Sequence, residues 1–560
     1  MGWRRVGDDS QELCDLLDYL LDGLKTLKTS IEMGMRLDGK DETKVDSKEL
    51  WCGGLLRDST SDEKTIHVKN AKIALRQMKD ARSMLSSVSK SLDDAIQTVT
   101  SGISNDCRGI GLSHLPDDLL TYIFEMYVEM SVEFNEYVDE KISPQTLASV
   151  SKRFRQIALG CSSLWRHVSL PFPRELLSLH GDRCSHPIIH IDTFRDSPPT
   201  NLEKFDVIPY SQWRGLRMVY RNEDEGHLYF EHLKSMIQSP LEALENLLIW
   251  NENGEYHSEE REIPPSVHLE GDDLDTLSSW QMPNLTRLEL RNVVPMGPLH
   301  CSLSNVTSFS FGVLHFEDRG DMSLDAFRRL LESMPKIQDL QVTLADVTEI
   351  FDDALPAPPT LPHLTSFELE IRGSTSIDVV YRVMTLLNTK ELTHLALRLF
   401  AYEPSNKESE NLFIAWLLAI FANRPSPTHD ESIPFVKLED FSLEVQRVRG
   451  DRKAFHLMLC AMPNVQSISL NLPRDNELFF EKEMKSKGAF RRLRSLRIKL
   501  PQACPDDFTA QLIYLNDFLR DGHYKELEML EIEFRRQRSA APSKARLFKM
   551  LGDKLRWIEY

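Results

Sequence analysis

The densest set of potential metal ligands is His180, Cys184, His186, His190 and Asp192, and its His-x3-Cys-x-His-x3-His spacing holds the residue types of a zinc site. Pro187-Ile188-Ile189-His190-Ile191-Asp192 reads as a strand, however, which sets His186 and His190 on one face and the others off it. No second ligand pair follows at the spacing of a structural site, so no metal is expected. Gly34-Met35-Arg36-Leu37-Asp38-Gly39-Lys40-Asp41 has the spacing of a phosphate-binding loop but puts Asp41 where magnesium needs a hydroxyl. A carboxylate there would repel phosphate, and a helical pattern precedes it in place of a strand. The chain contains no GxSxG elbow, no HExxH pair and no complete Walker motif. The expectation is a chain that is not an enzyme and needs no cofactor.

Charge supplies the other candidate chemistry. Arg491, Arg492, Arg494, Arg497 and Lys499 concentrate five cations within nine positions of a chain whose net charge is −19. So acidic a chain lacks the cationic surface that broad nucleic-acid binding needs. The local cluster suits an acidic or phosphorylated protein segment. The competing reading is that Glu531 and Glu533, on the adjoining strand, neutralise it as surface pairs worth little. Eight cysteines lie far apart with no CxxC pair, which fits reduced thiols in the cytosol or nucleus. No apolar run reaches transmembrane length and the N-terminus lacks a signal-peptide core, so no membrane association is expected. Asn284-Leu285-Thr286 and Asn305-Val306-Thr307 are glycosylation sequons in form, read here as loop and strand residues.

These charges would be positioned by a pattern that recurs through the C-terminal two-thirds. An apolar triplet spaced x, x+3, x+5 appears at Leu244/Leu247/Ile249, Leu285/Leu288/Leu290, Val306/Phe309/Phe311, Ile337/Leu340/Val342 and Leu364/Phe367/Leu369. It continues at Leu392/Leu395/Leu397, Leu438/Phe441/Leu443, Val465/Ile468/Leu470, Leu493/Leu496/Ile498 and Leu527/Leu530/Ile532, with Trp213/Leu216/Met218 as an earlier candidate. Met282-Pro283-Asn284, Met334-Pro335-Lys336, Leu361-Pro362-His363 and Met462-Pro463-Asn464 introduce several copies. This is the LxxLxL core of a leucine-rich repeat, whose last two positions alternate along a strand. Helical patterns lie between copies, so residues 173–560 read as an irregular solenoid with a parallel, curved sheet and helices outside. The Asn or Cys expected three residues after the last core position is absent, with Val293, Ala345, Arg372, Gln446, Pro473 and Pro501 in its place. Loop insertions are expected at 251–277, 352–362, 403–408 and 425–434. Residues between the core positions would face the open side: Glu368 and Glu370 on one strand, Arg497 and Lys499 on another.

Ahead of the solenoid, Leu115-Pro116, Leu119-Leu120 and Ile123-Phe124 are followed by Leu147, Val150-Ser151-Lys152-Arg153-Phe154-Arg155, Ile157-Ala158-Leu159 and Leu164-Trp165. Two short amphipathic helices and an aromatic anchor are expected here, the second helix starting at Ser143-Pro144. In this order the residues resemble an F-box of the large fungal set, over residues 112–172. The resemblance implies docking on a Skp-type adaptor, and through it on a cullin scaffold, by Leu115, Pro116, Leu119, Leu120, Ile123, Phe124, Leu147, Val150, Phe154, Ile157, Leu164 and Trp165. Phe154 stands where many members carry Trp, and residues 129–142 part the helices by more than the compact form does.

Residues 1–104 carry two heptad seams, Leu13 to Ile31 and Ala74 to Val99. They are expected to pair as a helical hairpin, the alternative being self-association through the same seams. The chain is thus α/β: a helical hairpin, a small all-α module and a leucine-rich-repeat-like solenoid. The leading functional reading is a substrate receptor of an SCF-type cullin–RING ubiquitin ligase, with an unknown protein target held by Arg494, Arg497, Lys499, Glu368 and Glu370. The alternative is a non-catalytic interaction scaffold whose F-box has degenerated.

Overall fold

The computed structural model describes residues 115–134, 144–192, 202–252, 268–299, 303–314, 320–350, 357–401, 407–421, 435–446, 461–471, 492–500, 526–534 and 541–559, with isolated positions at 79, 86, 90, 97, 112 and 458. The chain divides into two units, Met1–His114 and Leu115–Tyr560. In the first, Lys79, Ser86, Lys90 and Gln97 are helical and exposed. Both heptad seams lie outside the described residues.

The second unit opens with three helices where two were expected. Helix α1 spans Asp117–Phe134, α2 Pro144–Val150 and α3 Lys152–Gly160, followed by a 3-10 turn at Ser162–Trp165. Two aspartates in the first turn of α1 complement its positive end. Pro144 opens α2, as Ser143-Pro144 signals. The expected continuation through Ile157 breaks at Ser151, which is extended and whose hydroxyl accepts the Phe154 N–H at 3.1 Å. A serine side chain that caps a new helix competes with the backbone bonds that would prolong the old one.

Among the described residues, fourteen strands then form one sheet in which strand order follows chain order. They are β1 His167–Ser169, β2 Ile188–Asp192, β3 Gly215–Tyr220, β4 Asn246–Asn251, β5 Arg287–Arg291, β6 Ser308–Leu314 and β7 Asp339–Ala345. Next come β8 Ser366–Arg372, β9 His394–Phe400, β10 Asp440–Gln446, β11 Ser467–Asn471, β12 Ser495–Leu500, β13 Met529–Phe534 and β14 Leu555–Glu559. Every neighbouring pair is parallel. Parallel neighbours require a crossover, and helices such as Glu223–Met236, Leu324–Glu332 and Ile377–Thr385 supply it. The sheet starts earlier than the triplets suggest: β1 lies inside the segment read as all-helical.

All three residues of every triplet, Trp213/Leu216/Met218 included, are buried. The first member closes a turn, as where the Leu285, Val306 and Ile337 N–H groups donate to the Met282, Leu303 and Met334 carbonyls. Proline suits the second position of such a turn. Asparagine at the third reaches the turn before it: Asn284, Asn305 and Asn464 donate to the carbonyls of Glu242 (2.7 Å), Pro283 (2.7 Å) and Val436 (2.6 Å). The two sequon asparagines thus bridge successive turns. At the far end of the strands, the missing repeat asparagine is partly replaced one position early. Asn292, buried at φ 51°, donates to the Asn251 carbonyl at 3.1 Å and accepts the Leu314 N–H.

Leu397 is 1% exposed on the core face of β9, whereas Ser442 is exposed on the other face of β10. Leu397→Ala should therefore destabilise by about 2–5 kcal/mol. Ser442→Ala should stay within about 0.5 kcal/mol. Urea unfolding followed by far-UV circular dichroism compares the two.

Candidate docking site

Helix α1 is apolar on two sides, and packing gives the sides different uses. Leu120, Phe124 and Val128 turn inward and share a core with Ile157, Ala158, Leu164, Trp165 and Cys184. The Trp165 indole N–H donates to the Ala158 carbonyl at 2.7 Å inside it. Phe154 is half-buried with its ring edge-on to Phe124, centroids 4.9 Å apart, and so fills the anchor position. Leu115 and Leu147 pack against the same core. Arg153 fixes the start of α1, donating to the Leu115 carbonyl and from Nε to Asp117 Oδ1 at 2.9 Å.

The opposite side of α1 is uncovered. Leu119, Tyr122, Ile123, Met126, Tyr127 and Met130 form a row of exposed large apolar side chains, with Tyr122 61% accessible. Val150, at the end of α2, is 63% accessible, and Pro116 is exposed as well. A cleft of about 350 Å³ borders one edge of this row, lined by Tyr122, Met126 and Met130 together with Glu125, Glu129 and Arg166 among others. Of the expected docking residues, Leu119, Ile123, Val150 and Pro116 thus face solvent. Leu120, Phe124, Ile157, Leu164 and Trp165 are buried beneath them. Tyr122, Met126 and Met130 were missed, although their spacing with Leu119 marks a second helical stripe.

Polar contacts tie this module to the sheet. Glu129 of α1 pairs with Arg166 and lies 3.2 Å from His167 Nε2, while His167 Nδ1 is 3.0 Å from His190 Nε2. The Trp165 carbonyl accepts from His180 Nδ1 at 2.8 Å, in the helix Arg174–Arg183. Burial, reinforced by Arg166 and Arg217, pulls the His167 imidazole down to about 3. Burial likewise lowers His180, to about 4, against the opposing effect of its carbonyl bond. His190 is lowered well below its usual value for the same reason. Asp192, read as lying off the face of His190, in fact shares it, as strand alternation requires. Burial raises its carboxyl to about 7. His186 is exposed, and among the described residues no three His, Cys, Asp or Glu side chains converge on a metal site.

The sheet face away from the triplets carries the remaining candidates. Arg398 lies among Glu368 (3.1 Å), Glu370 (3.7 Å) and Glu444 (3.9 Å), and Glu370 also pairs with Arg372. Lys499 pairs with Glu533 at 3.1 Å and Arg497 with Glu531 at 2.5 Å, so two of the five cations of the basic cluster are matched by carboxylates of the adjoining strand. Arg494 is exposed beside it, and Arg491 lies outside the described residues.

Residues 112–171 match the family described as F-box-like. The chain has no significant match among curated proteins. Among the described residues, no helix is long and apolar enough to cross a membrane.

The depressed histidines set a pH dependence. Above about 6.5 they are neutral whether folded or unfolded. Below that the unfolded chain takes up protons that folded His180 and His167 refuse until about 4 and about 3, so stability falls through this window. Asp192 acts in the opposite sense: its raised carboxyl contributes stability at low pH that is lost as pH rises through about 7. His180→Asn, which keeps a donor for the Trp165 carbonyl, should give a shallower loss of apparent Tm between pH 6.5 and 4, read by thermal melts across that range.

Proposed function

We propose that the chain is the substrate-recognition subunit of an SCF-type cullin–RING ubiquitin ligase. The observation that carries this reading is the exposed row Leu119, Tyr122, Ile123, Met126, Tyr127 and Met130 within an F-box-like domain. A contiguous apolar face of this kind marks an interaction site, and a helix apolar on two sides needs a cover for the second. The cover proposed is a Skp-type adaptor, which links the chain to a cullin. The buried set beneath the row serves by holding α1 in place, and Pro116 and Val150 are further exposed positions proposed to meet the adaptor.

The sheet then serves as the target platform. Its ordered strands and repeated triplets support the reading as an irregular leucine-rich-repeat solenoid, with Glu368, Glu370, Arg494, Arg497 and Lys499 on the face offered to a target protein. Ligation chemistry belongs to the partners, so the chain itself carries no catalytic residue or cofactor. A cytoplasmic or nuclear setting follows from that role, and the N-terminal seams offer self-association as a further property.

The test separates the two sides of α1. Leu119→Glu/Ile123→Glu places charge only on the exposed side and should reduce co-purification with a Skp-type adaptor by at least about tenfold, or 1.4 kcal/mol, with the melting curve unchanged. Leu120→Ala removes a fully buried side chain and should instead destabilise by about 2–5 kcal/mol. Adaptor recovery undiminished in the double variant would sink the docking assignment.

A further inference from the structure

Methionine is unevenly placed in this chain. Met218, Met282, Met322, Met334, Met384, Met458 and Met462 lie in the core, each at most 1% exposed. Met126 and Met130 are 44% and 48% exposed, and Met550 is the one other methionine among the exposed large apolar side chains of the described residues. Four residues apart on α1, Met126 and Met130 share one side of the helix, and both line the cleft that borders the apolar row. A thioether is flexible and polarisable, which suits a surface that moulds to a partner, and it is also an apolar group that peroxide oxidises. A packed core keeps the oxidant from the sulfur, whereas the sulfurs on α1 stand in the open. The competing target is Cys161, half-buried, whose Sγ lies 2.9 Å from the hydroxyl of Ser163 in the same cleft lining.

We propose that Met126 and Met130 form a reversible oxidation site through which hydrogen peroxide releases the chain from its adaptor. The proposal rests on the reading of the exposed row as the docking surface. Each thioether sulfur takes one oxygen from a peroxide: the S–O bond forms and the O–O bond breaks. The departing hydroxide collects the proton of the transferred oxygen and leaves as water, so sulfur is oxidised by two electrons and peroxide reduced by two. The sulfoxide is polar and accepts hydrogen bonds, and burying it beneath an apolar cover costs its hydration with no donor in return. Both modifications fall within one contact, and the core methionines stay shielded, so the surface changes while the fold persists. A methionine sulfoxide reductase, drawing two electrons from a pair of thiols, returns the thioether and releases the oxygen as water.

The experiment treats the full-length chain with hydrogen peroxide, then with catalase, then with dithiothreitol to reverse thiol oxidation. Peptide mass spectrometry reads the oxygen taken up at each methionine, and co-purification reads the Skp-type adaptor. Met126 and Met130 should be oxidised before the core methionines, and adaptor recovery should fall at least about tenfold with far-UV circular dichroism unchanged. Methionine sulfoxide reductase should restore it, and adaptor bound beforehand should slow oxidation at Met126 and Met130 but not at Met550. Met126→Leu/Met130→Leu, compared with its own untreated sample, should lose less than about twofold on treatment. Met550→Leu should respond as the parent does. Reductase rescue of the parent carries the test should the double variant bind too weakly to read. Undiminished recovery from a parent oxidised at both positions, full return with dithiothreitol alone, or an equal loss in the double variant overturns this inference and leaves the docking reading standing. An untreated parent that fails to recover the adaptor defeats the docking reading, and this inference with it.

Discussion

The buried side chain of Trp165 is the contact through which the helical domain and the sheet become one body. Its indole N–H satisfies the Ala158 carbonyl of α3, and its own carbonyl is satisfied by His180 of the first crossover helix. Two residues later the chain is already β1. A buried indole without a partner would carry a desolvation cost of roughly 1–3 kcal/mol, so these bonds fix where the helices stop and the sheet starts. The Phe172 and Trp165 rings flank the His180 imidazole, which leaves no room for a hydrated cation. That is why the imidazole is held neutral. Glu129, Arg166 and His167 add a polar clasp on the other side, so α1 is held from both ends of the joint.

With that joint in place, the rest of the molecule extends by one rule. Each strand pairs in parallel with the next, and from β3 to β13 each contributes at least two inward side chains plus one from the turn that leads in. Fully burying one such side chain is worth roughly 1.5–3 kcal/mol, and no single strand could keep its apolar face dry without its neighbours. The asparagines at the turns and Asn292 beyond the strands satisfy carbonyls and N–H groups that lie between strands, where the ladder itself cannot reach. Conformity to the rule is uneven at the outlets, where Asn292 and Asp346 take left-handed backbone and Val313 or Val445 fill the corresponding space with apolar groups.

The same pleat that buries the triplets delivers alternate residues to the other face, and there charge is arranged in matched groups. Arg398 gathers three carboxylates, while Glu531 gathers Arg497 and Arg556. Most such pairs are exposed at one or both ends and contribute little to stability. Their effect is to hold long side chains in fixed positions on that face. The apolar row on α1 and this polar face therefore present two different chemistries.

Much of this was written locally. The triplet spacing, the Pro-containing turns, the Pro144 helix start and the ordered F-box-like positions depend on residues close in sequence, where period and capping chemistry act directly. What the sequence left undecided was non-local. Leu119 and Leu120 are equally apolar neighbours, and only the position of α3 and Trp165 decides that one is covered and the other is not. Ser151 could have continued a helix or capped one, and the packing of Phe154 on Phe124 favours the break. Arg556 gave no signal, because it lies far along the chain from Arg497 and meets it only through strand register. Glu531 read as an outward surface acid, yet the two guanidiniums above it close it off from water. Burial and charge pairing belong to surfaces brought together by folding, and so the tertiary structure alone could assign them.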